Sequence, residues 1–160
     1  MVPTITKDIR TYIITNTIGF NLVCFLINMP SLGLTNAPSN DELFLRENLT
    51  MAEAVAQEIS SPGYARSIIT VNIGGITFNA TGRASVPVSA EFTATTDPMG
   101  PFTHIVWARG ANLAGATASN GNNRGDISGV IWKVEPVNLA PLTLQLGAIF
   151  SPTTDASAGI

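Results

Sequence analysis

Residues 84–92 read Ala84-Ser-Val-Pro-Val-Ser-Ala-Glu-Phe92, and this stretch decides the fold class. Apolar side chains occupy every second position from Val86 to Phe92, and serine, proline and glutamate fill the positions between them. Successive side chains of a β-strand point to opposite faces of the sheet, so this alternation predicts a strand with one buried face. Pro87 lies on the other face, and its missing N–H favours an edge strand or a bulge.

The same period of two continues on both sides of this stretch. Apolar positions alternate before and after Gly74-Gly75, and this glycine pair predicts a hairpin turn. The continuous apolar run Phe20–Ile27 predicts a strand that is buried on both faces. Further strands are predicted at Phe102–Ala108, at Gly129–Val134 and from Leu142 to Phe150.

Two helical segments are predicted beside the strands. Thr50-Met-Ala-Glu53 matches a capping box, and the good helix formers that follow predict a helix over Met51–Ile59. Near the N-terminus, apolar residues recur at four-residue spacing from Ile5 to Ile13, which fits an amphipathic helix. The many β-branched residues there favour an extended arm instead, and both interpretations stay open.

These elements predict a mainly-β fold, a single-domain antiparallel β-sandwich of about seven strands with one short helix. A length of 160 residues suits one domain. We expect an N-terminal helix or arm at residues 1–18, the β-sandwich domain at 19–150 and a flexible C-terminal tail at 151–160. The tail is expected to be flexible unless a neighbouring segment holds it, because its residues are small and polar.

The composition predicts a subunit that buries much of its surface in an assembly. Only 12% of the residues are charged and the mean hydropathy is +0.28, because Thr, Ser, Asn and Gly fill the polar positions. Such a surface costs little to desolvate, which suits assembly with copies of the same chain or with other proteins. The net charge of −3 and scattered basic residues argue against a nucleic-acid partner. Ile18–Met29 is too short to span a membrane, and the N-terminus lacks a signal-peptide pattern, so we expect synthesis in a cytoplasm.

The residue types that enzymes need are scarce. The chain has one histidine, His104, within a predicted strand, and one cysteine, Cys24, within the buried run. A hydrolase needs a base and an acid beside its nucleophile, and a zinc site needs several such ligands. Asp41, Glu42 and Glu47 do not have the spacing of a calcium loop. We therefore expect no enzymatic activity, no metal and no cofactor, with His104 half-buried and Cys24 in the core.

Tyr64 and Arg66 lie two apart at the start of a predicted strand, so their side chains share a face. A structural corner and an interface anchor are both open for them. The Gly-, Ala-, Asn- and Ser-rich stretch Gly110–Gly125 is a long loop and a candidate contact region. Trp107 and Trp132 are expected to be buried in the core. The candidate interface residues are Tyr64, Arg66, Arg109, Asn112, Asn120, Asn122, Asn123 and Arg124.

Two motifs carry a resemblance to a known group. Gly63-Tyr64-Ala65-Arg66 opens a strand after the apolar run, and Thr103-His104-Ile105-Val106-Trp107-Ala108 precedes the loop Gly110-Ala-Asn-Leu-Ala-Gly115. In this order the chain resembles small tailed-bacteriophage virion proteins over roughly residues 5–150. It departs from them at Met99-Gly-Pro-Phe102, where the group commonly has Trp-Gly, and in a longer stretch before Gly63.

The resemblance implies a β-sandwich subunit located on the virion, made in the host cytoplasm and bound to copies of itself and to other virion proteins. A capsid decoration (cement) protein is the first hypothesis, and a neck, collar or tail-fibre-associated protein is its rival. A carbohydrate-binding β-sandwich module is the third, and it would need exposed planar aromatic side chains over a polar groove.

Overall fold

The structure, a computed structural model, describes residues 21–29, 49–70, 73–80, 83–109, 130–137 and 141–158. Within these ranges the chain is mainly β with antiparallel sheets, which confirms the predicted fold class at that level. A 3-10 helix lies at Ile73–Gly75. The other elements are β1 (Asn21–Ile27), α1 (Met51–Ala56), β2 (Ser67–Thr70), β3 (Thr77–Phe78), β4 (Ala84–Ser89), β5 (Phe92–Thr93), β6 (Met99–Phe102), β7 (His104–Arg109), β8 (Val130–Pro136), β9 (Leu142–Leu144), β10 (Ile149–Phe150) and β11 (Thr153–Ala158).

β1 is a central strand of the largest sheet, whose order is β2-β1-β7-β8. All six residues from Leu22 to Ile27 are fully buried, which confirms the prediction of a strand buried on both faces. β1 pairs antiparallel with β7 from Leu22↔Arg109 to Ile27↔His104. A strand that is apolar on both faces needs cover on both sides, so β1 defines the centre of the core.

The alternation in residues 84–92 is confirmed by burial. Val86, Val88 and Phe92 are buried, whereas Pro87 is exposed on the opposite face. β4 lies between β11 and β3, but β3 pairs only with Ala84 and Ser85. Pro87 therefore has a partner strand on one side only, which is the environment that a residue without an N–H tolerates.

The hairpin predicted at Gly74-Gly75 is wrong. The glycines belong to the 3-10 helix, and the strands on either side join different sheets, β2 with β1 and β3 with β4. The apolar stretch Leu142–Phe150 is likewise two strands. A turn at Leu146 and Gly147 separates β9 from β10, with Gly147 at a φ of 83°. The alternation of apolar and polar residues predicts which side chains are buried, but it does not predict which strand lies next to a given strand.

The C-terminal segment differs from the predicted flexible tail. Thr153–Ala158 form β11, which pairs with β4 at six residue pairs from Thr153↔Ser89 to Ala158↔Ala84. A strand at the edge of a sheet is held by backbone hydrogen bonds, so it needs no apolar alternation in its own sequence. The predicted helix or arm at residues 1–18 lies outside the described residues.

The capping box at the start of α1 is confirmed. The Thr50 hydroxyl accepts from the Glu53 N–H at 3.2 Å, and the Glu53 carboxylate accepts from the Thr50 N–H at 3.1 Å. The helix ends at Ala56, three residues before the predicted end. Residues 57–59 leave the helix to run beside β1, where the Ile59 N–H donates to the Leu26 carbonyl at 3.1 Å.

Aromatic rings connect the smaller sheets to the residues before β2. Tyr64 stacks on Phe92 with ring centres 6.2 Å apart, and Phe92 stacks on Phe150 at 6.4 Å. Phe150 also contacts Phe102 at 5.4 Å. Among the described residues, no helix is long and apolar enough to cross a membrane.

Candidate functional site

Tyr64 and Arg66, two of the predicted interface residues, are not at the surface. Tyr64 is 1% exposed and Arg66 is 6% exposed. Both side chains point into the protein because each has a buried polar partner there, the carboxylate of Glu58, itself 5% exposed. The alternative of a structural corner, paired with a carboxylate, therefore describes these two residues.

The three side chains form a dense hydrogen-bond network. The Arg66 guanidinium binds the Glu58 carboxylate with two bonds, Nε to Oε1 at 2.8 Å and Nη2 to Oε2 at 2.6 Å. The Tyr64 hydroxyl donates to Oε1 of Glu58 at 2.9 Å. Planar two-point pairing is the strongest geometry that an arginine offers a carboxylate, and it fixes direction as well as distance. The guanidinium also lies 4.9 Å from the ring centre of Phe25.

The network closes a gap in the backbone pairing of β1. β2 pairs with β1 as far as Cys24↔Ser67, and residues 57–59 pair beside Leu26. Between these two segments the chain leaves the sheet. The buried N–H of Leu26 is satisfied instead by the Tyr64 hydroxyl, which accepts from it at 3.1 Å. An unsatisfied buried N–H is costly, so this hydroxyl stabilises the departure of the chain.

Burial raises the pKa of Tyr64 well above its ordinary value, and the nearby Glu58 carboxylate raises it further. The phenol therefore stays protonated and keeps its donor for Glu58. The hydroxyl both donates and accepts, and the carboxylate receives three donors from two side chains. The polar groups of the three side chains therefore bond to one another and to β1. These bonds fix the positions of α1, β1 and β2 relative to one another.

The backbone conformation at position 63 requires the glycine that begins the Gly63–Arg66 motif. Its φ is 79°, in the left-handed region that residues with a Cβ rarely adopt. A Cβ at this position would lie 2.9 Å from the Thr96 hydroxyl oxygen. The turn also holds a bond from the Tyr64 N–H to the Ser61 carbonyl at 3.0 Å. Gly63 therefore sets the direction from which Tyr64 enters the core.

A second polar cluster joins β7, β8 and β11. The Glu135 carboxylate accepts from the Trp107 ring N–H at 3.2 Å and from the Thr154 hydroxyl at 3.0 Å. Lys133 makes an ion pair with Glu135 at 2.6 Å and donates to the Thr154 hydroxyl at 2.7 Å. Trp107 is fully buried, as predicted, whereas Trp132 is only partly buried. The cluster ties the last strand of the chain to β8.

Cys24 and His104 are both fully buried. Burial raises the pKa of Cys24 well above its ordinary value, with a further contribution from Glu135, so the thiol stays protonated. This fits the predicted core role. His104 is more buried than the predicted half-buried position, and its Nδ1 lies 2.8 Å from the Thr103 hydroxyl oxygen. That hydroxyl also accepts from the Met29 N–H at 2.7 Å, so it belongs to the structural bonding around β1.

An open cleft of about 480 Å³ lies beside the end of α1. Most of its lining surface is polar, and none of its nine lining residues is aromatic. The Ser61 hydroxyl holds one wall by accepting from the Gly100 N–H at 2.9 Å. The lining residues are Asn28, Ala56, Gln57, Glu58, Ile59, Ser60, Ser61, Gly100 and Pro101.

Three large aliphatic side chains are more than half exposed: Ile68 at 57%, Leu146 at 59% and Ile149 at 61%. Leu146 lies in the turn that separates β9 from β10, and Ile149 is the first residue of β10. Arg109, another predicted interface residue, is exposed at the end of β7. The remaining predicted interface residues, in the stretch Gly110–Gly125 that the sequence predicts to be a loop, lie outside the described part of the chain: Asn112, Asn120, Asn122, Asn123 and Arg124.

Within the described ranges, no group of three His, Cys, Asp or Glu side chains is placed to hold a metal ion. Asp41, Glu42 and Glu47 lie outside these ranges. Glu58 is the important residue that sequence reasoning did not single out. Comparison of the chain with protein-family models, with curated proteins and with solved structures finds no match.

Proposed function

We propose that this chain is a structural subunit of a tailed-bacteriophage particle, and that it decorates the head shell as a cement protein. The observation that carries the proposal is the pair of exposed aliphatic side chains, Leu146 and Ile149, on a protein with only 12% charged residues. Large aliphatics on a weakly charged surface gain free energy when a partner covers them. The resemblance in the Gly63–Arg66 segment supplies the class of particle.

The fold proposed for this role is the seven-stranded sandwich. The sheets β2-β1-β7-β8 and β11-β4-β3 together hold seven strands. The bonds that Thr154 of β11 makes to Lys133 and Glu135 of β8 support their packing as two layers. A rigid two-layer body suits a cement protein, because it offers preformed surfaces to neighbouring capsid subunits and pays little ordering entropy on binding.

A cement protein stabilises the shell through mass action. A ligand that binds the assembled shell and not its separated subunits shifts the equilibrium towards the shell by an amount that grows with the free concentration of the ligand. We therefore expect purified protein to raise the disassembly temperature of shells that lack it. The rise should increase with protein concentration until the sites are filled.

The test uses shells and a matched pair of variants. The double variant Leu146→Ser/Ile149→Ser should lose shell binding and stabilisation, because it removes the exposed aliphatic side chains. Gln145→Ala, in the same turn and also exposed, should bind as the wild type does. If the double variant binds as tightly as the Gln145 variant, the exposed aliphatics do not carry the contact.

Copy number separates cement from the neck, collar or tail-fibre alternative. A protein that covers the head is present at on the order of hundreds of copies per particle, whereas a neck or fibre attachment forms a small closed ring. A quantitative gel of purified particles measures this directly. A ring-sized copy number would exclude the cement role and favour the alternative.

A carbohydrate-binding role is the second candidate, and the cleft beside α1 is the observation that favours it. Amides and hydroxyls such as those of Asn28, Gln57 and Ser60 bind sugar hydroxyls well. The lining offers no aromatic ring for a sugar to stack on, which is why we rank this role below assembly. Micromolar binding on a glycan array, lost in Gln57→Ala, would reverse that order.

A further inference from the structure

The outer edge of β8 presents backbone groups that no described residue pairs with, since β8 ends the sheet order. The Val137 N–H donates to the Thr103 carbonyl at 3.0 Å. This bond places His104↔Pro136 among the pairs of the antiparallel ladder that have no hydrogen bond between them. Pro136 has no N–H, so it fits that place. The two kinds of pair alternate, and Val106↔Val134 is therefore of the same kind, which turns the N–H and C=O of Val134 outward.

We propose that β8 pairs antiparallel with β8 of a second copy, about a two-fold axis at Val134. In this register the two Val134 residues exchange both of their backbone hydrogen bonds. The inference goes beyond the proposed function, because it names a second copy of this chain as the partner and β8 as the contact. A two-fold contact between identical edges closes on itself and leaves no further edge of this kind exposed.

Charge complementarity selects this register. With the axis at Val134, Lys133 lies opposite Glu135 of the second copy, and the reciprocal pair forms on the other side of the axis. Both side chains are accessible, with exposed fractions of 41% for Lys133 and 27% for Glu135. If the axis passed through either charged residue instead, two like charges would face each other directly. Opposite charges stabilise a cross-strand pair and like charges destabilise it.

The side chains of β8 fit the same partner. A lysine on an edge strand usually discourages pairing with foreign strands. Lys133 is paired with Glu135 of its own chain at 2.6 Å, and a second copy in this register places a further carboxylate opposite to it. Ile131, Trp132 and Val134 are half-buried in one copy, so pairing covers apolar surface that remains open. Trp132 is the extra residue of a bulge between the pairs Trp107↔Lys133 and Ala108↔Ile131. With the axis at Val134, it would lie opposite Pro136 of the second copy.

Cross-linking through an introduced thiol tests the proposal. In Val134→Cys, the two copies would bring their Cα atoms to about 5.5 Å, the separation of a hydrogen-bonded pair. That distance is within the range that a disulfide spans. The native thiol of Cys24 is buried, so it does not compete. We expect mild oxidation to convert most of the Val134→Cys protein into a dimer on a non-reducing gel, and to leave the wild type unchanged.

Ile149→Cys is the control, because its position is more exposed yet lies outside β8. It should remain mostly uncross-linked under the same conditions. If Ile149→Cys cross-links as readily as Val134→Cys, or if Val134→Cys stays monomeric, the proposed pairing is overturned. A dimer through Val134 in a protein that is absent from purified particles would keep this inference and refute the proposed function. A chain that binds shells but never cross-links through Val134 would do the reverse.

A charge exchange tests the register without any cysteine. Lys133→Glu places two glutamates opposite each other on both sides of the axis, and we expect at least about ten-fold weaker dimerisation in sedimentation experiments. Adding Glu135→Lys restores opposite charges in the two-fold register and should recover the dimer. Because Glu135 also holds Trp107, circular dichroism checks that this double variant folds. Unchanged dimerisation in Lys133→Glu would refute the register.

Discussion

The hydroxyl of Tyr64 is one oxygen atom that serves two buried partners, and its removal isolates what the network contributes. In Tyr64→Phe the ring and its stacking on Phe92 stay in place, so no cavity opens. The Leu26 N–H, in a fully buried residue, loses the acceptor that it has at 3.1 Å. Glu58 loses one of its donors and keeps the two from Arg66.

The cost follows from these losses. A buried backbone N–H left without an acceptor costs about 1–3 kcal/mol. The lost donor to a charged carboxylate adds to this, although Arg66 still neutralises the charge. We expect the free energy of unfolding to fall by about 2–4 kcal/mol, a large share of the stability of an ordinary domain.

Urea unfolding followed by circular dichroism measures this loss as a lower midpoint with an unchanged slope. With a slope of about 2 kcal/mol/M, a loss of 3 kcal/mol lowers the midpoint by about 1.5 M. The matched control is Thr77→Val, whose hydroxyl makes only exposed contacts of 3.4–3.5 Å, and it should change stability by less than about 0.5 kcal/mol. A Tyr64→Phe variant as stable as this control would refute the role given to the hydroxyl.

Three further predictions concern the same part of the fold. Glu58→Gln leaves Arg66 buried without its counter-charge and should cost about 3–5 kcal/mol in urea unfolding; a cost under 1 kcal/mol would contradict the pairing. Gly63→Ala should destabilise more than Gly147→Ala, because both have positive φ but only at Gly63 would the added Cβ meet neighbouring atoms; equal melting temperatures would contradict this. The raised pKa of Tyr64 means that the folded state holds this proton more tightly than the unfolded state. The stability that this proton contributes is fully present below the unfolded-state pKa of about 10 and is lost as the pH rises above it. The melting temperature should therefore fall above pH 10, and it should fall less steeply in Tyr64→Phe.

The elements that the sequence predicts correctly are those fixed by neighbouring residues. The capping box forms because Thr50 and Glu53 satisfy each other three residues apart. The buried strand β1 and the buried face of β4 follow from runs of apolar side chains that cannot face water. Each of these features is decided within a window of about ten residues, where periodicity and capping act directly.

The elements that the sequence predicts wrongly depend on distant partners. β11 forms because β4 offers it a ladder, and its own Thr-, Ser- and Ala-rich sequence carries no sign of that. Gly74-Gly75 suits a hairpin, yet β2 finds its partner in β1, more than forty residues earlier in the chain. One feature of the sequence could have identified Glu58. An arginine entering an apolar segment beside a tyrosine needs a counter-charge, and the nearest carboxylate upstream of Arg66 is Glu58.

The two edges of the sheet β2-β1-β7-β8 differ, and this difference decides where backbone pairing with a partner can occur. On the β2 side, the edge strand has only four residues, and the hydroxyl of Ser67 is occupied by the Glu91 N–H at 3.2 Å. Next to it, residues 57–59 and the Tyr64 hydroxyl satisfy β1. On the other side β8 has seven residues, with the backbone of Val134 turned outward. Short edge strands resist addition of a strand, and long open ones accept it. Within this sheet, backbone pairing with a partner is therefore expected at β8 and not at β2, while Leu146 and Ile149 remain free for a different partner.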